Sequence, residues 1–169
     1  FKEWDYDFAK PIIESITITA SWTANADTPY TVEYYLQNLE NDEYTLEDVE
    51  DKKGTTDTTA NAEVKTFAHF TPTQQTVSGN INGDGSTVLK VYYTRDKYTI
   101  TFNGNGGVLQ SGKETQTVKY GGVAVEPTYR KNGYDFIGWD KDISTLMPAE
   151  NITIIAQWSR AIYLVRDGG

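Results

Sequence analysis

The stretch that decides the fold is FIGWDKDISTLMPAENITIIAQW, residues 136–158, because residues 1–22 repeat it as FKEWDYDFAKPIIESITITASW. Both copies open with Phe-x-x-Trp-Asp-x-Asp, and after a slip of one residue both close with Ile-Thr-Ile-x-Ala-x-Trp. Internal similarity of this kind is the sequence signature of a repeat architecture. We therefore predict that the sequence is cut from a tandem array, beginning in the second half of one module and ending just inside a later one.

Composition narrows the classes of protein that fit. The chain has 169 residues, of which 38% are hydrophobic and 13% aromatic, too apolar for a disordered chain. It has no apolar run of the ~20 residues that a membrane helix needs, so no membrane insertion is expected. The lack of cysteine excludes disulfides, thiolate metal sites and cysteine nucleophiles. A net charge of −9 disfavours nucleic acid and anionic membranes as partners.

Charge and linker residues indicate where modules meet. Residues 26–96 hold 13 acidic and 5 basic residues, whereas residues 97–158 hold 6 of each. The polar linker TANADTP precedes the acidic segment, and TRDK joins the two segments without a spacer. The predicted domains are a truncated half-module with its linker at 1–25, modules at 26–97 and 98–158, and a tail at 159–169 that begins a further module.

Strand signals dominate the chain. Short runs rich in Val, Ile, Thr, Tyr and Trp alternate between two faces and are separated by Gly, Asn and Asp clusters. The predicted strands are 15–22, 30–38, 87–95, 98–104, 115–120 and 151–158. One short helix each is expected at 60–70 and 143–150, and NGDG at 82–85 is read as a hairpin turn. The predicted core is Val32, Tyr34, Leu89, Val91, Ile100, Phe102, Phe136, Trp139, Ile152, Ile154 and Trp158.

Residues 98–158 carry, in order, YTITFNGNGG, TVKYGG, EPTYRKNGYDFIGWDKD and NITIIAQW. This succession of strand, Asn-Gly-Gly turn, Val-x-Tyr-Gly strand, Gly-Tyr-x-Phe-x-Gly-Trp segment and closing strand resembles the Listeria–Bacteroides repeat, the B-repeat of internalin-type surface proteins. Residues 1–22 match its second half. Residues 30–97 are similar to mucin-binding-protein-like (MucBP-like) modules, with Asp57 where that family usually has the second glycine of a GTTG motif.

The resemblance implies a fold and a setting. Both families are small ubiquitin-like β-grasp folds, so we expect mainly β structure (α+β small modules) in a tandem, elongated arrangement. Their usual place is in wall-anchored or secreted proteins of Gram-positive bacteria. The resemblance implies an extracellular stalk or spacer that contacts neighbouring repeats and presents an adhesive or other domain. It carries no catalytic residue and no cofactor, so we do not expect an enzyme.

The alternative is an adhesive module that recognises a host glycan (mucin) or protein through the acidic middle segment. The candidate ligand-binding residues are the adjacent tyrosine pairs Tyr34, Tyr35, Tyr92 and Tyr93. Adjacent residues of a strand point to opposite faces, so one tyrosine of each pair should lie on the outside. The acidic run at 39–53 could also bind a cation or a basic partner, although such runs are more often a solvated face.

Four further features have structural and functional interpretations. Residues 80–85, NINGDG, copy part of an EF-hand loop, but Val91 stands where calcium loops need a bidentate Glu, so a turn is favoured. His69 is the only histidine and cannot by itself form a usual zinc site. The four tryptophans occupy matching places in the two copies, which favours core positions over a sugar-stacking platform. The open half-module could also recruit a strand from another chain.

Overall fold

The structure, a computed structural model, describes residues 1–162. This part of the chain contains strands and turns and no α-helix. The strands are β1 (Glu3–Trp4), β2 (Ala20–Ser21), β3 (Thr28–Gln37), β4 (Tyr44–Gly54), β5 (Thr59–Ala62), β6 (Phe70–Pro72), β7 (Val77–Asn80), β8 (Val88–Arg95), β9 (Lys97–Asn103), β10 (Val108–Ser111), β11 (Thr115–Lys119), β12 (Thr128–Arg130), β13 (Tyr134–Trp139) and β14 (Ile152–Arg160). The tail predicted to begin a further module lies outside the described residues from 163 onward.

The strands form two four-stranded sheets and three two-stranded ribbons. The sheets have the orders β4-β3-β8-β6 and β11-β9-β14-β13, and the ribbons are β1-β2, β5-β7 and β10-β12. In the second sheet β9 and β14 are parallel, whereas the outer pairs β11-β9 and β13-β14 are antiparallel. Both sheets therefore place the first and last of their strands in the centre and the second and third at the edges. Mainly β structure is thus confirmed.

The chain divides into two compact units. Among the described residues, the first comprises 1–35, 46–65 and 74–92, and the second comprises 36–45, 66–73 and 93–162. The buried apolar residues of the first unit are Val32, Tyr34, Ala60, Ala62, Ile81, Leu89 and Val91. In the second unit Ile100, Phe102, Met147 and Ile154 form the core, and Trp139 and Ile152 pack against it half-buried.

Both predicted helices are wrong, and so is the α+β expectation. At 60–70 the chain instead begins with β5, in which Ala60 and Ala62 are buried at alternate positions and pair with β7. At 143–150 the Asp142 carboxylate accepts the N–H of Ser144 in a side-chain-stabilised turn, and Met147 enters the core. The buried side chains of the two segments do not recur every three or four residues, as those of a helix would. Neither segment therefore has an apolar helical face that packing could stabilise.

The NGDG segment is a turn but does not join a hairpin. The N–H of Gly85 donates to the Asn82 carbonyl at 3.0 Å, and Gly85 has a φ of +75°, a conformation that favours glycine. However, β7 pairs with β5, and β8 pairs with β3 and β6. The turn therefore carries the chain from a ribbon into a sheet, and the hairpin prediction is wrong.

All the predicted core residues are buried or half-buried except Phe136. Phe136 is 40% exposed, although its ring contacts those of Trp139 and Trp158. It lies on β13, an edge strand of its sheet, and a bulge between Phe136 and Gly138 shifts the register there. A bulge re-aims the side chains of its strand, so Trp139 reaches the core while Phe136 lies at the surface.

Candidate functional site

The four candidate tyrosines lie in two different environments. Tyr34 and Tyr93 are fully buried, and Tyr35 and Tyr92 are half-buried on the opposite face. The rings of Tyr35 and Tyr92 stack with centroids 5.0 Å apart and planes inclined by 22°. The strand alternation thus separates each pair as predicted. Because Tyr34 and Tyr93 present no side-chain surface, the binding hypothesis now rests on Tyr35 and Tyr92.

Charged groups frame this tyrosine pair. The Tyr35 hydroxyl donates to the Glu33 carboxylate at 2.7 Å, and that hydrogen bond, followed by burial, raises the pKa of Tyr35. Lys90 lies 3.5 Å from the same carboxylate and 5.5 Å from the centre of the Tyr35 ring. An aromatic surface with a carboxylate and an ammonium beside it can stack on the apolar face of a sugar and hydrogen-bond its hydroxyls.

A lysine neutralises part of the acidic run. Lys65 Nζ lies 2.6 Å from Asp48 and 2.5 Å from Glu50, and 4.2 Å from the centre of the buried Tyr34 ring. The Tyr34 hydroxyl shares its one proton between the Glu50 carboxylate at 3.2 Å and the Glu63 carbonyl at 3.1 Å. Hydrogen bonds from Lys65, and then from Lys52, lower the pKa of Glu50 to about 2. The same contacts with Asp48 and Glu50 raise the pKa of Lys65.

These contacts explain the structure of the acidic segment. Strand β4 is an edge strand of its sheet, and most of its residues are exposed, including Leu46 and Val49 at 46% each. The interpretation as a solvated strand face is therefore confirmed. Charged side chains on an edge strand also discourage pairing with a foreign strand. Among the described residues, no three or more His, Asp and Glu side chains are grouped as a metal site.

The second unit contains a packed junction around Asp96. This residue alone separates β8 from β9. Its N–H donates to the His69 carbonyl at 2.9 Å, its carbonyl accepts the N–H of Tyr120 at 2.8 Å, and its carboxylate accepts the Thr71 hydroxyl at 2.7 Å. The His69 and Tyr120 rings stack with centroids 3.7 Å apart. The single histidine thus packs against an aromatic ring at the junction.

Lys119 strengthens the same junction. Its ammonium donates to the carbonyls of Asn38 at 3.0 Å and Asn41 at 2.5 Å, and it lies 3.2 Å from the Asp42 carboxylate. Its side chain is only 15% exposed, whereas that of Asp42 is 86% exposed. Two carbonyl acceptors, of which that of Asn38 is part-buried, and a largely covered ammonium make this a positioned lysine rather than a surface ion pair. We call the contacts of Asp96, His69, Tyr120 and Lys119 the junction.

The tryptophans behave differently in the two copies. Trp139 and Trp158 are half-buried, whereas Trp4 is 47% and Trp22 is 73% exposed. The prediction of core positions is therefore wrong for residues 1–22. The physical reason is the lack of a covering strand: in the described residues, β2 pairs with β1 alone.

Sequence reasoning missed both lysines. Lys119 stands in TVKYGG and Lys65 in EVKTF, and neither segment distinguishes its lysine from an ordinary surface lysine. The partners of Lys119 lie 78 and 81 residues away in the sequence. No local pattern reports contacts at that separation.

The comparisons with known proteins agree with part of this picture. Residues 98–157 match the family model of the Listeria-Bacteroides repeat domain, which confirms the resemblance for that segment. Over 98% of its length the chain is 29% identical to a protein of Evansella cellulosilytica that is described as a candidate membrane protein. The chain spans about a quarter of that relative, 26% of its length. The MucBP-like resemblance of residues 30–97 stays a prediction. No helix within residues 1–162 is long and apolar enough to cross a membrane.

Proposed function

We propose that this chain is a non-catalytic repeat segment of a bacterial cell-surface protein, in which it serves as a spacer that presents an adhesive or other domain. The Listeria-Bacteroides repeat at residues 98–157 supports a repeat segment of a surface protein. The candidate membrane protein of Evansella cellulosilytica supports a location at the cell envelope. We place the segment outside the cell, on the wall of a Gram-positive bacterium, in contact with neighbouring repeats of its own chain.

Both four-stranded sheets are, in this proposal, β-grasp sheets without the crossing helix. Their shared strand order, with the first and last strands central, supports this assignment, as does the parallel β9-β14 pair. Asp57 supports the MucBP-like assignment of residues 30–97. It has a φ of +62°, and its position is one where the MucBP-like family usually has glycine. A left-handed backbone at that position gives a physical reason for glycine there.

The observation that carries the spacer function is the junction at Asp96. Within the second unit, the single residue between β8 and β9 is hydrogen-bonded on both sides, unlike a residue of a flexible linker. The His69–Tyr120 stack and the Lys119 contacts add side-chain packing to these backbone bonds. A spacer needs such stiffness and needs no ligand.

A replacement experiment tests the spacer function. An epitope is displayed on a Gram-positive surface beyond this segment, and its accessibility to a bulky antibody is measured. Deletion of the segment should reduce binding, and an unrelated β-repeat segment of equal length should restore it. Failure of the unrelated segment to restore accessibility would overturn the spacer function, because a spacer is defined by its dimensions and stiffness alone.

The stacked Tyr35–Tyr92 pair favours a second candidate, an adhesive module for host glycan or protein. The full chain is displayed multivalently on beads and tested against mucins and glycans, since weak single-site affinity is raised by avidity. Saturable binding that Tyr35→Ser and Tyr92→Ser abolish would support adhesion. Tyr134→Ser, at an exposed tyrosine in the other unit, is the matched control and should leave binding unchanged. Binding that both sets of variants retain would exclude this surface.

A further inference from the structure

A groove of about 520 Å³ lies beside the β10-β12 ribbon of the second unit, and the charged residues that line it are both basic. This volume is within the range of ~300–1,000 Å³ that is usual for small-ligand sites. Val108 and Arg130 are directly opposite each other in the ribbon, so their side chains lie on the same face. The residues that line the groove are Gly106, Val108, Gln110, Arg130, Lys131 and Asn132.

Lys131 is held in place at this groove without an acidic partner. Its ammonium donates to the Asn105 carbonyl at 2.9 Å and lies 4.7 Å from the centre of the Tyr134 ring and 6.0 Å from that of Trp158. A Cβ atom at Gly106 would lie 3.3 Å from the ammonium nitrogen, so the glycine leaves room for the lysine. Within residues 1–162 no carboxylate forms an ion pair with this ammonium. A carbonyl and ring faces attract a cation but do not neutralise its charge.

A second positive charge of the groove is also uncompensated. Arg130 is exposed, and its guanidinium has no hydrogen-bond or ion-pair partner in the described part of the chain. A guanidinium presents a planar fork of N–H donors that matches the two oxygens of a carboxylate. Lys119, in the same unit, shows what completes such a cation, because it contacts two carbonyls and also the Asp42 carboxylate. Lys131 has the carbonyl contact and lacks the carboxylate.

We propose that this groove binds a saccharide that carries a carboxylate, and that Arg130 and Lys131 hold the carboxylate. The side-chain amides of Gln110 and Asn132 supply donors and acceptors for the sugar hydroxyls. Val108, which is 67% exposed, supplies an apolar contact for the C–H face of the ring. A neutral sugar would leave both cations uncompensated, and an apolar ligand would desolvate them at a cost. The inference does not depend on the spacer function, and its site is separate from the stacked tyrosine pair of the first unit.

Oligogalacturonides test the groove against a matched neutral ligand, because methyl esterification removes their negative charge and leaves the sugar ring unchanged. The full chain is displayed on beads, so that avidity raises a weak single-site affinity. We expect saturable binding of the free-acid oligomer and at least about tenfold weaker binding of its methyl ester. No binding of the free acid, or equal binding of the two forms, would overturn the proposal. Tighter binding of a sulfated neutral oligosaccharide of the same length would overturn the assignment to a carboxylate.

Substitutions then locate the binding in the groove. Arg130→Gln changes an exposed side chain, so it should leave thermal unfolding unchanged and weaken binding of the free acid by at least about tenfold. Lys113→Gln, at an exposed lysine outside the groove, is the matched control and should bind like the native chain. Equal binding losses in these two variants would indicate unspecific attraction and overturn the proposal, as would full binding by Arg130→Gln. The double variant Tyr35→Ser and Tyr92→Ser should retain binding, which separates this site from the adhesive candidate.

Discussion

His69 and Tyr120 lie face to face, with ring centroids 3.7 Å apart and planes inclined by 18°. They are also the two backbone partners of Asp96, which donates to the His69 carbonyl and accepts the Tyr120 N–H. His69 and Tyr120 are therefore joined twice, by the ring stack and, through Asp96, by backbone hydrogen bonds. His69 adopts a φ of +65°, which is uncommon for a residue other than glycine. The junction thus holds its histidine in a strained backbone conformation.

A double-mutant cycle should reveal the stack as an interaction energy. His69→Asn removes the imidazole but tolerates the positive φ, and Tyr120→Leu removes the aromatic ring but keeps an apolar side chain. We expect a coupling free energy of about 0.5–1.5 kcal/mol from urea unfolding of the four proteins. The same His69 change combined with Tyr134→Leu is the control and should be additive. Additivity within ~0.3 kcal/mol for the first pair would show that the stack contributes nothing.

Lys119 should contribute far more to the free energy of unfolding than an ordinary surface lysine does. Lys119→Met keeps the aliphatic stem but leaves the Asn38 and Asn41 carbonyls without their donor. We expect the free energy of unfolding to fall by about 1–3 kcal/mol, because the part-buried Asn38 carbonyl is left unsatisfied. Lys113→Met, at an exposed position just before β11, is the matched control and should change the free energy of unfolding by less than ~0.5 kcal/mol. Equal effects of the two substitutions in urea unfolding would contradict the role of Lys119.

The sequence predicts what depends on residues close together in the chain. The alternation of β14 predicts that Ile152, Ile154 and Trp158 share a face, and they do. Adjacent tyrosines predict one inward and one outward ring, as found for Tyr34 and Tyr35. The helix prediction at 60–70 fails because a short run with three alanines fits either a helix or a strand. Its pairing partner β7 lies beyond any local window and decides between them.

Contacts at long sequence separation remain beyond such reasoning. The carbonyl partners of Lys119 are 78 and 81 residues away, and Lys65 reaches back 17 residues to Asp48. The exposure of Trp22 depends on a strand that the pattern of residues 1–22 does not itself supply. Local patterns therefore give strands and faces, whereas the candidate site depends on which strands become neighbours.

Substitutions of the adjacent residues Tyr34 and Tyr35 should change stability by different amounts, because the two rings differ in burial. Tyr34→Ala removes a fully buried ring and should lower the free energy of unfolding by about 3–5 kcal/mol. Tyr35→Ala removes a half-buried ring and its stack on Tyr92, so we expect about 0.5–1.5 kcal/mol. Urea unfolding followed by circular dichroism measures both. A larger loss for Tyr35 than for Tyr34 would contradict the assignment of the faces.

Replacement of Asp57 by glycine should stabilise the folded protein. Its φ of +62° is strained for a side chain with a Cβ atom, and glycine adopts it freely. We expect Asp57→Gly to raise the free energy of unfolding by up to about 1 kcal/mol and Asp57→Ala to lower it, since alanine lacks the tolerance of aspartate for this region. Thermal unfolding of the two variants gives the comparison. Destabilisation by glycine would mean that the aspartate side chain makes a contact that outweighs the strain.

The loss of folding stability at low pH should depend on Glu50. Its pKa is lowered from 4.5 to about 2, first by the hydrogen bond from Lys65. A carboxyl group whose pKa is lower in the folded state contributes stability above its unfolded pKa and loses it as the pH falls through the folded value. The advantage of the native protein over Glu50→Gln should therefore be constant above about pH 5 and shrink between pH 4.5 and 2. Glu47→Gln, at an exposed position of the same strand, is the matched control and should show a much smaller change in that window. Urea unfolding of both proteins at a series of pH values measures the difference in their free energies of unfolding. A difference that is independent of pH would show that the stabilising contact with Lys65 does not depend on the charge of Glu50.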